Sequence, residues 1–156
     1  MGPEAFILTL WAAQVLLVLA LTVRAALRRE WAAAAGLVAG LAIGVAPMLA
    51  GQSAGPDPGA FLLRTSIILV AVSAIVLVVS YGFARRWIAL ALVIAIFIIP
   101  IVYSFIPAFS PLKVVPRLDA MGEIEFFLAP IACALASREV FVWARRLFAN
   151  SKESAA

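Results

Sequence analysis

Long apolar stretches separated by short polar or proline-rich segments dominate this chain. A helix needs about 20 residues to cross a hydrocarbon core about 30 Å thick. Five stretches approach or reach that length, at residues 5–23, 31–50, 65–84, 87–105 and 124–143. The pattern predicts an all-α, polytopic integral membrane protein with about five transmembrane helices. Residues 1–148 are expected to form a single transmembrane domain, followed by a short cytoplasmic tail at 149–156.

The fifth stretch has two interpretations, because its uninterrupted apolar part is only residues 126–136. In the first, the segment spans the bilayer to residue 143, and the charges of Arg138 and Glu139 reach outward to the interface. In the second, it enters only half of the membrane and leans on the other four helices. The distribution of basic residues favours the spanning interpretation.

Lysine and arginine cluster on one side of the expected topology. With the N-terminus outside, nine of the basic residues fall at or near the cytoplasmic side and three fall outside. Short cytoplasmic segments normally carry this excess. Trp31, Trp87 and Trp143 also fall at the cytoplasmic interface, where indole rings are favoured. The expected orientation is therefore N-terminus out and C-terminus in, in a multi-pass arrangement in the plasma (inner) membrane.

Composition supports a lipid environment and limits the chemistry. The chain is 66% apolar and 13% charged, whereas soluble domains carry about a quarter charged residues. Its formal charge of +4 comes from short clusters between apolar runs, which is typical of membrane anchoring and not of nucleic-acid binding. Histidine is absent, and Cys133 is the only cysteine. No catalytic, metal or cofactor site is predicted, and the chain is not expected to be an enzyme.

The second stretch contains a glycine zipper formed by Gly36, Gly40 and Gly44. Residues four apart lie on one face of a helix. Three glycines there let a neighbouring backbone approach closely, which is a main source of helix association in lipid. The sequence leaves open whether the partner is another helix of this chain or a second subunit.

Polar residues inside the apolar stretches are few. Ser66, Ser73 and Ser80 repeat every seven residues along one side of the third stretch. They favour small-residue packing over a polar path for a solute, because no ionisable residue lies near the centre of the first four stretches. Gln14 is expected to hydrogen-bond to a neighbouring helix.

Arg138 and Glu139 are adjacent, so they are expected to point to different sides of the helix and not to pair with each other. Each is instead expected to contact a headgroup, a loop or a partner chain. Pro100 and Pro130 are expected to kink the fourth and fifth helices. A proline-rich outer loop at 106–122 and a Gly/Pro-rich loop at 51–59 are the expected external contact surfaces.

The cytoplasmic turns share a pattern, with Arg28-Arg29-Glu30-Trp31 at the first and Arg85-Arg86-Trp87 at the second. A duplicated helical hairpin would produce this pattern. The alternative, which we favour, is that every tight cytoplasmic turn requires arginine and an interfacial tryptophan.

These features together favour one function class over the others. Packing motifs are abundant, site residues are lacking, and little of the chain lies outside the membrane. The leading hypothesis is an accessory or structural subunit of a larger membrane complex, with membrane lipids and other membrane subunits or copies of itself as partners. The alternative is a small oligomeric transporter or channel for a small solute.

Overall fold

A computed structural model describes residues 3–51, 58–99 and 118–153, and this part of the chain is entirely helical apart from its tight turns. Five helices follow one another along the chain. They are α1 (Pro3–Leu27), α2 (Trp31–Gly51), α3 (Pro58–Phe83), α4 (Trp87–Val93, continuing as a π-helical segment over Ile94–Ile98) and α5 (Leu118–Glu153).

Several helices extend beyond the bounds expected from hydropathy. Helix α3 begins at Pro58, inside the segment expected to be a loop, because proline is well suited to the first turn of a helix. Helix α5 begins at Leu118 and runs for 36 residues to Glu153. Its last residues, 149–153, belong to the segment that is expected to be a cytoplasmic tail, and Ala149, Lys152 and Glu153 among them are good helix formers. Hydropathy therefore underestimates helix length wherever polar helix formers follow the apolar run.

Two prolines lie inside described helices without ending them. Helix α5 continues without interruption through Pro130, and α2 likewise contains Pro47. The expected kink at Pro100 lies outside the described residues, as do residues 100–105 of the expected fourth helix. The helix just before that position departs from α geometry, with a π-helical segment at Ile94–Ile98. Such segments are rare and appear mostly as single turns within α-helices.

The two described tight turns have the same geometry. In the first, the N–H of Glu30 donates to the carbonyl of Ala25, and the N–H of Arg29 donates to that of Ala26. In the second, Arg86 and Arg85 donate in the same way to Tyr81 and Gly82. This pair of bonds is the Schellman motif, which satisfies the last carbonyls of a helix. The motif requires one residue with a left-handed backbone conformation, and an arginine occupies that position in both turns.

Helix α5 lies at the centre of the bundle. Its most extensive contact is with α2, followed by α3, while α1 packs mainly on α2 and the described part of α4 packs mainly on α3. The larger buried side chains mark two contact regions. Val70, Leu77, Val93 and Phe97 pack with alanines of α5, and Val18 and Leu37 pack with Ala134.

Small residues fill much of the interior, and large apolar residues cover the outside. The buried small residues are Ala25, Ala33, Ala34, Gly36, Gly40, Gly44, Ser66, Ser73, Ala74, Ala129, Ala132, Cys133, Ala134 and Ala136. By contrast, Leu27, Phe83 and Ile88 are 80%, 88% and 82% exposed, and many other Leu, Ile, Val and Phe side chains are also exposed.

Among the residues whose side chains are described, one helical segment is long and apolar enough to cross a bilayer. It is Arg64–Phe83, with a mean hydropathy of 2.5. Shorter apolar helical segments lie at Ala12–Leu27, Trp31–Pro47 and Trp87–Ile98. The described residues are thus all-helical outside the tight turns, and by length and composition they contain one candidate span.

Candidate functional site

The glycines of α2 lie directly against the backbone of α5. A Cβ atom added at Gly40 would lie 2.2 Å from the carbonyl oxygen of Cys133 and 2.6 Å from Cα of Ala134. At Gly44 the nearest atom would be Cα of Pro130, at 2.5 Å. These distances are too short for any real Cβ. The glycine strip is therefore in contact with another helix of the same chain.

Gly36, the first glycine of the strip in chain order, lies against the backbone of α5 at Arg138. A Cβ atom at Gly36 would lie 2.7 Å from Cα of Arg138 and from the carbonyl oxygen of Ser137. The backbone of α5 therefore lies against α2 at the position where Arg138 begins its side chain, although the approach is closer still at Gly40 and Gly44. Gly36 lies five residues after Trp31, which corresponds to about 8 Å along the helix axis. Arg138 is thus held about one and a half turns inside the level of Trp31.

The serines of α3 are used in packing where the structure describes them. Ser66 and Ser73 are buried, and Ser80 is half-buried. The Ser73 hydroxyl donates a weak hydrogen bond to the Cys133 sulfur, at 3.5 Å. That contact joins α3 to the middle of α5, so the serine row faces α5 at this point and not an open lumen.

Gln14 lies within α1, and its side chain is half-buried. Its side-chain oxygen is buried and accepts no hydrogen bond from the residues that the structure describes. A buried acceptor without a partner costs about 1–3 kcal/mol. The amide also carries two N–H donors, so the expected hydrogen bond from Gln14 to a neighbouring helix stays a prediction.

Arg138 and Glu139 do pair with each other, so the expectation that they cannot is wrong. Nη1 of Arg138 donates to Oε1 of Glu139 in a charge-assisted contact. The arginine side chain is long and flexible enough to turn along the helix to its neighbour, although their Cβ atoms point apart. Both side chains are largely buried, with 31% and 15% exposed. Mutual neutralisation offsets part of the cost of holding charge there.

Three arginine clusters converge at the end of the bundle that contains the tight turns. We call this region the arginine cleft, and it comprises two neighbouring cavities. Its charged residues are Arg24, Arg28, Glu30, Arg86, Arg138, Glu139, Arg145 and Arg146. Six arginines and two glutamates thus line the cleft. Because guanidinium does not titrate in proteins, the cleft is suited to binding anions and not to transferring protons.

The two cavities meet at Glu30 and Arg138. The first, of about 250 Å³, lies between α1, α2 and α5 and is lined by Arg24, Arg28 and four apolar residues in addition to the shared pair. The second, of about 420 Å³, contains Arg86, Arg145 and Arg146. Among the residues searched, no group of three His, Cys, Asp or Glu side chains is placed to hold a metal ion.

Sequence reasoning assigned these arginines to topology and missed that they surround cavities. The signal in the sequence is that Arg24, Arg28, Arg86 and Arg138 all fall near one boundary. Their convergence depends on the close α2–α5 approach at Gly36, which hydropathy does not contain. Comparisons with protein-family models, curated proteins and solved structures found no match to this chain.

Proposed function

We propose that this chain is a multi-pass protein of the plasma membrane. The observation that carries the proposal is the distribution of residue size, with alanine, glycine and serine inside and leucine, isoleucine, valine and phenylalanine outside. In water, an exposed apolar surface of this extent is strongly unfavourable. In lipid it is the preferred solvent contact, and small residues at helix interfaces provide the association.

Helix length supports the same placement. Helices α1, α2 and α3 contain 25, 21 and 26 residues. At 1.5 Å per residue they measure about 38, 32 and 39 Å, which exceeds a hydrocarbon core of about 30 Å. Helix α5 is longer still, and its exposed final turns, with Arg145 and Arg146, extend past the level of the tight turns.

The convergence of the arginine clusters supports an orientation with the arginine cleft at the cytoplasmic side. Glu30 from the first tight turn, Arg86 from the second and Arg145 from α5 line one cavity. An excess of arginine at one membrane face is typical of the cytoplasmic side. The N-terminus is then outside, and the chain crosses the membrane five times.

Topology is testable with thiol labelling in intact cells. In a Cys133→Ala background, Arg85→Cys and Ala149→Cys should resist a membrane-impermeant maleimide until the membrane is permeabilised, whereas Ser53→Cys should react at once. Opposite accessibility of the cysteines at positions 85 and 149 would overturn the five-crossing arrangement.

Within the membrane we propose that the protein is an accessory or structural subunit of a larger complex. The glycine strip and Ser73 are engaged within the chain, which supports a rigid bundle held by close backbone contact. The described part of α4 packs mainly on α3, and most of its large side chains, including Trp87, Ile88 and Leu92, are exposed. This face is available for lateral contact with other membrane subunits.

The alternative is a small oligomeric transporter or channel. Extraction of native membranes into polymer-bounded discs, followed by quantitative mass spectrometry through a C-terminal tag, distinguishes the two. An accessory subunit should be recovered with the same other membrane chains at a fixed molar ratio. Recovery of this chain alone, together with solute flux after reconstitution into vesicles, would instead support the transporter and contradict the subunit proposal.

A further inference from the structure

The first cavity of the arginine cleft is charged at one end and apolar at the other. Arg24 and Arg28 lie nearer the first tight turn than Leu21 does along α1. Glu30 lies in the tight turn just before α2, whereas Leu37 lies within α2, and Arg138 lies nearer the cytoplasmic end of α5 than Leu135. On each of these segments, therefore, the charged residue lies toward the end of the bundle and the leucine lies deeper.

Two of the arginines at the charged end have no ionic partner. In the part of the chain that the structure describes, the one ion pair joins Arg138 to Glu139. Arg24 lies in the last turn of α1, and Arg28 follows that helix with its N–H donating to the Arg24 carbonyl, so the two residues line the same cavity. Glu30 cancels part of their charge, and a net positive potential remains.

Helix-end electrostatics explain part of this arrangement. A basic residue in the last turn of α1 is favourable because it faces the negative end of the helix dipole. That effect requires neither a cavity nor a third arginine from a distant helix. Arg138 reaches the site because Gly36 admits the backbone of α5, and it lines the cavity together with Arg24. The geometry therefore suits a ligand with an anionic head and an apolar body.

We propose that this cavity binds the phosphate group of one anionic phospholipid, with the first carbons of its acyl chains against Leu21, Leu37 and Leu135. Arg24, Arg28 and Arg138 donate charge-assisted hydrogen bonds to the phosphodiester oxygens. Basic cavities between membrane helices on the cytoplasmic side are suited to such headgroups. The Arg138 backbone lies about 8 Å inside the level of Trp31, and its long side chain can extend outward from there to the headgroups. This inference rests on the proposed membrane placement.

The test uses the full chain in nanodiscs of phosphatidylcholine with and without phosphatidylglycerol. After release into mild detergent, native mass spectrometry counts the lipids that remain bound. One phosphatidylglycerol per chain should be retained in preference to phosphatidylcholine. Arg24→Gln and Arg28→Gln should each weaken this retention about tenfold.

Arg85→Gln is the matched control, because it removes the same charge from the same end of the bundle but lines neither cavity. Its retention of phosphatidylglycerol should equal that of the wild type. Arg28→Lys, which keeps the charge but not the planar fork, should bind more tightly than Arg28→Gln. Unchanged reactivity of Cys133 toward a thiol reagent verifies that each variant remains folded.

Three results would overturn the proposal. Equal weakening by Arg85→Gln would mean that surface charge alone attracts the lipid. Equal retention of both lipids by a correctly reconstituted chain would contradict the lipid site but not the membrane placement. Failure of the chain to enter nanodiscs would contradict the membrane placement itself. Binding of inorganic phosphate that displaces phosphatidylglycerol at equal concentration would assign the cavity to the free ion.

Discussion

Substitution of Gly40 by alanine provides the strictest test of how α2 and α5 are held together. The added methyl group would lie 2.2 Å from the Cys133 carbonyl oxygen, whereas ordinary contact begins at 3.4 Å. Its three nearest neighbours are all backbone atoms of α5, so no side-chain rotation can relieve the overlap. The two helices must separate locally by about 1 Å, the difference between those distances.

The expected loss of stability follows from two opposing terms. Alanine gains about 1 kcal/mol over glycine in a helix interior. Separation by about 1 Å removes up to half of the dispersion attraction across the contact, and overpacking typically costs 1–3 kcal/mol or more. Because α2–α5 is the most extensive contact in the bundle, we expect an overpacking cost near the upper end of that range. After the gain in helix propensity is subtracted, the net loss is about 2 kcal/mol.

Cys133 provides the assay, since it is the only cysteine and lies in the contact itself, with 3% exposed. Its reaction with a membrane-permeant thiol reagent reports how often α2 and α5 open. A loss of about 2 kcal/mol corresponds to labelling about 30-fold faster than in the wild type. Gly44→Ala and Gly36→Ala, with nearest distances of 2.5 Å and 2.7 Å, should produce smaller increases in that order.

Gly82→Ala is the matched control, because a Cβ atom there meets nothing within 4 Å. This variant should label at the wild-type rate or more slowly, since alanine favours the helix. If Gly40→Ala and Gly82→Ala label Cys133 at the same rate, the close backbone contact is not what holds the bundle together.

Three further predictions concern single positions. Arg29→Gly should raise the stability of the purified protein by about 1 kcal/mol in thermal unfolding, because Arg29 has φ of 59° and glycine adopts that conformation without strain. Arg28→Gly is the control and should give no gain, because the backbone there does not have a positive φ. Gln14→Leu should stabilise the isolated chain by about 1 kcal/mol because it removes a buried acceptor without a partner, and destabilisation of the isolated chain would show that the amide is satisfied. Ser73→Ala should lower stability by less than about 1 kcal/mol, as expected for one weak hydrogen bond in a membrane protein, and a larger loss would contradict a packing role.

The Gln14→Leu variant also tests the proposed function, when its effect on the isolated chain is compared with its effect in native membranes. Stabilisation of the isolated chain by Gln14→Leu, combined with weaker recovery of other subunits from native membranes, would indicate that Gln14 hydrogen-bonds to a second chain. Recovery that is unchanged would restrict the role of Gln14 to this chain. Either result separates the internal packing of the bundle from its contacts with other proteins.

The all-helical character and the approximate positions of the helices could be predicted from the sequence. Hydropathy and helix propensity act over a few neighbouring residues, so they appear directly in the order of the side chains. The same local information places arginine and tryptophan at the tight turns. It underestimates α5, however, because a helix does not end where its apolar residues end.

The tertiary structure alone decided which helix meets the glycine strip and which residues surround a cavity. The glycine strip predicts a close helix contact. Its partner on α5, however, lies about 90 residues away in the sequence and shares no local pattern with the glycines. The pairing of Arg138 with Glu139 also depends on side-chain conformation in a crowded setting and not on the helical positions of their Cβ atoms. Hydropathy and helix propensity can be evaluated from neighbouring residues, whereas the approach of distant segments depends on how all five helices pack together.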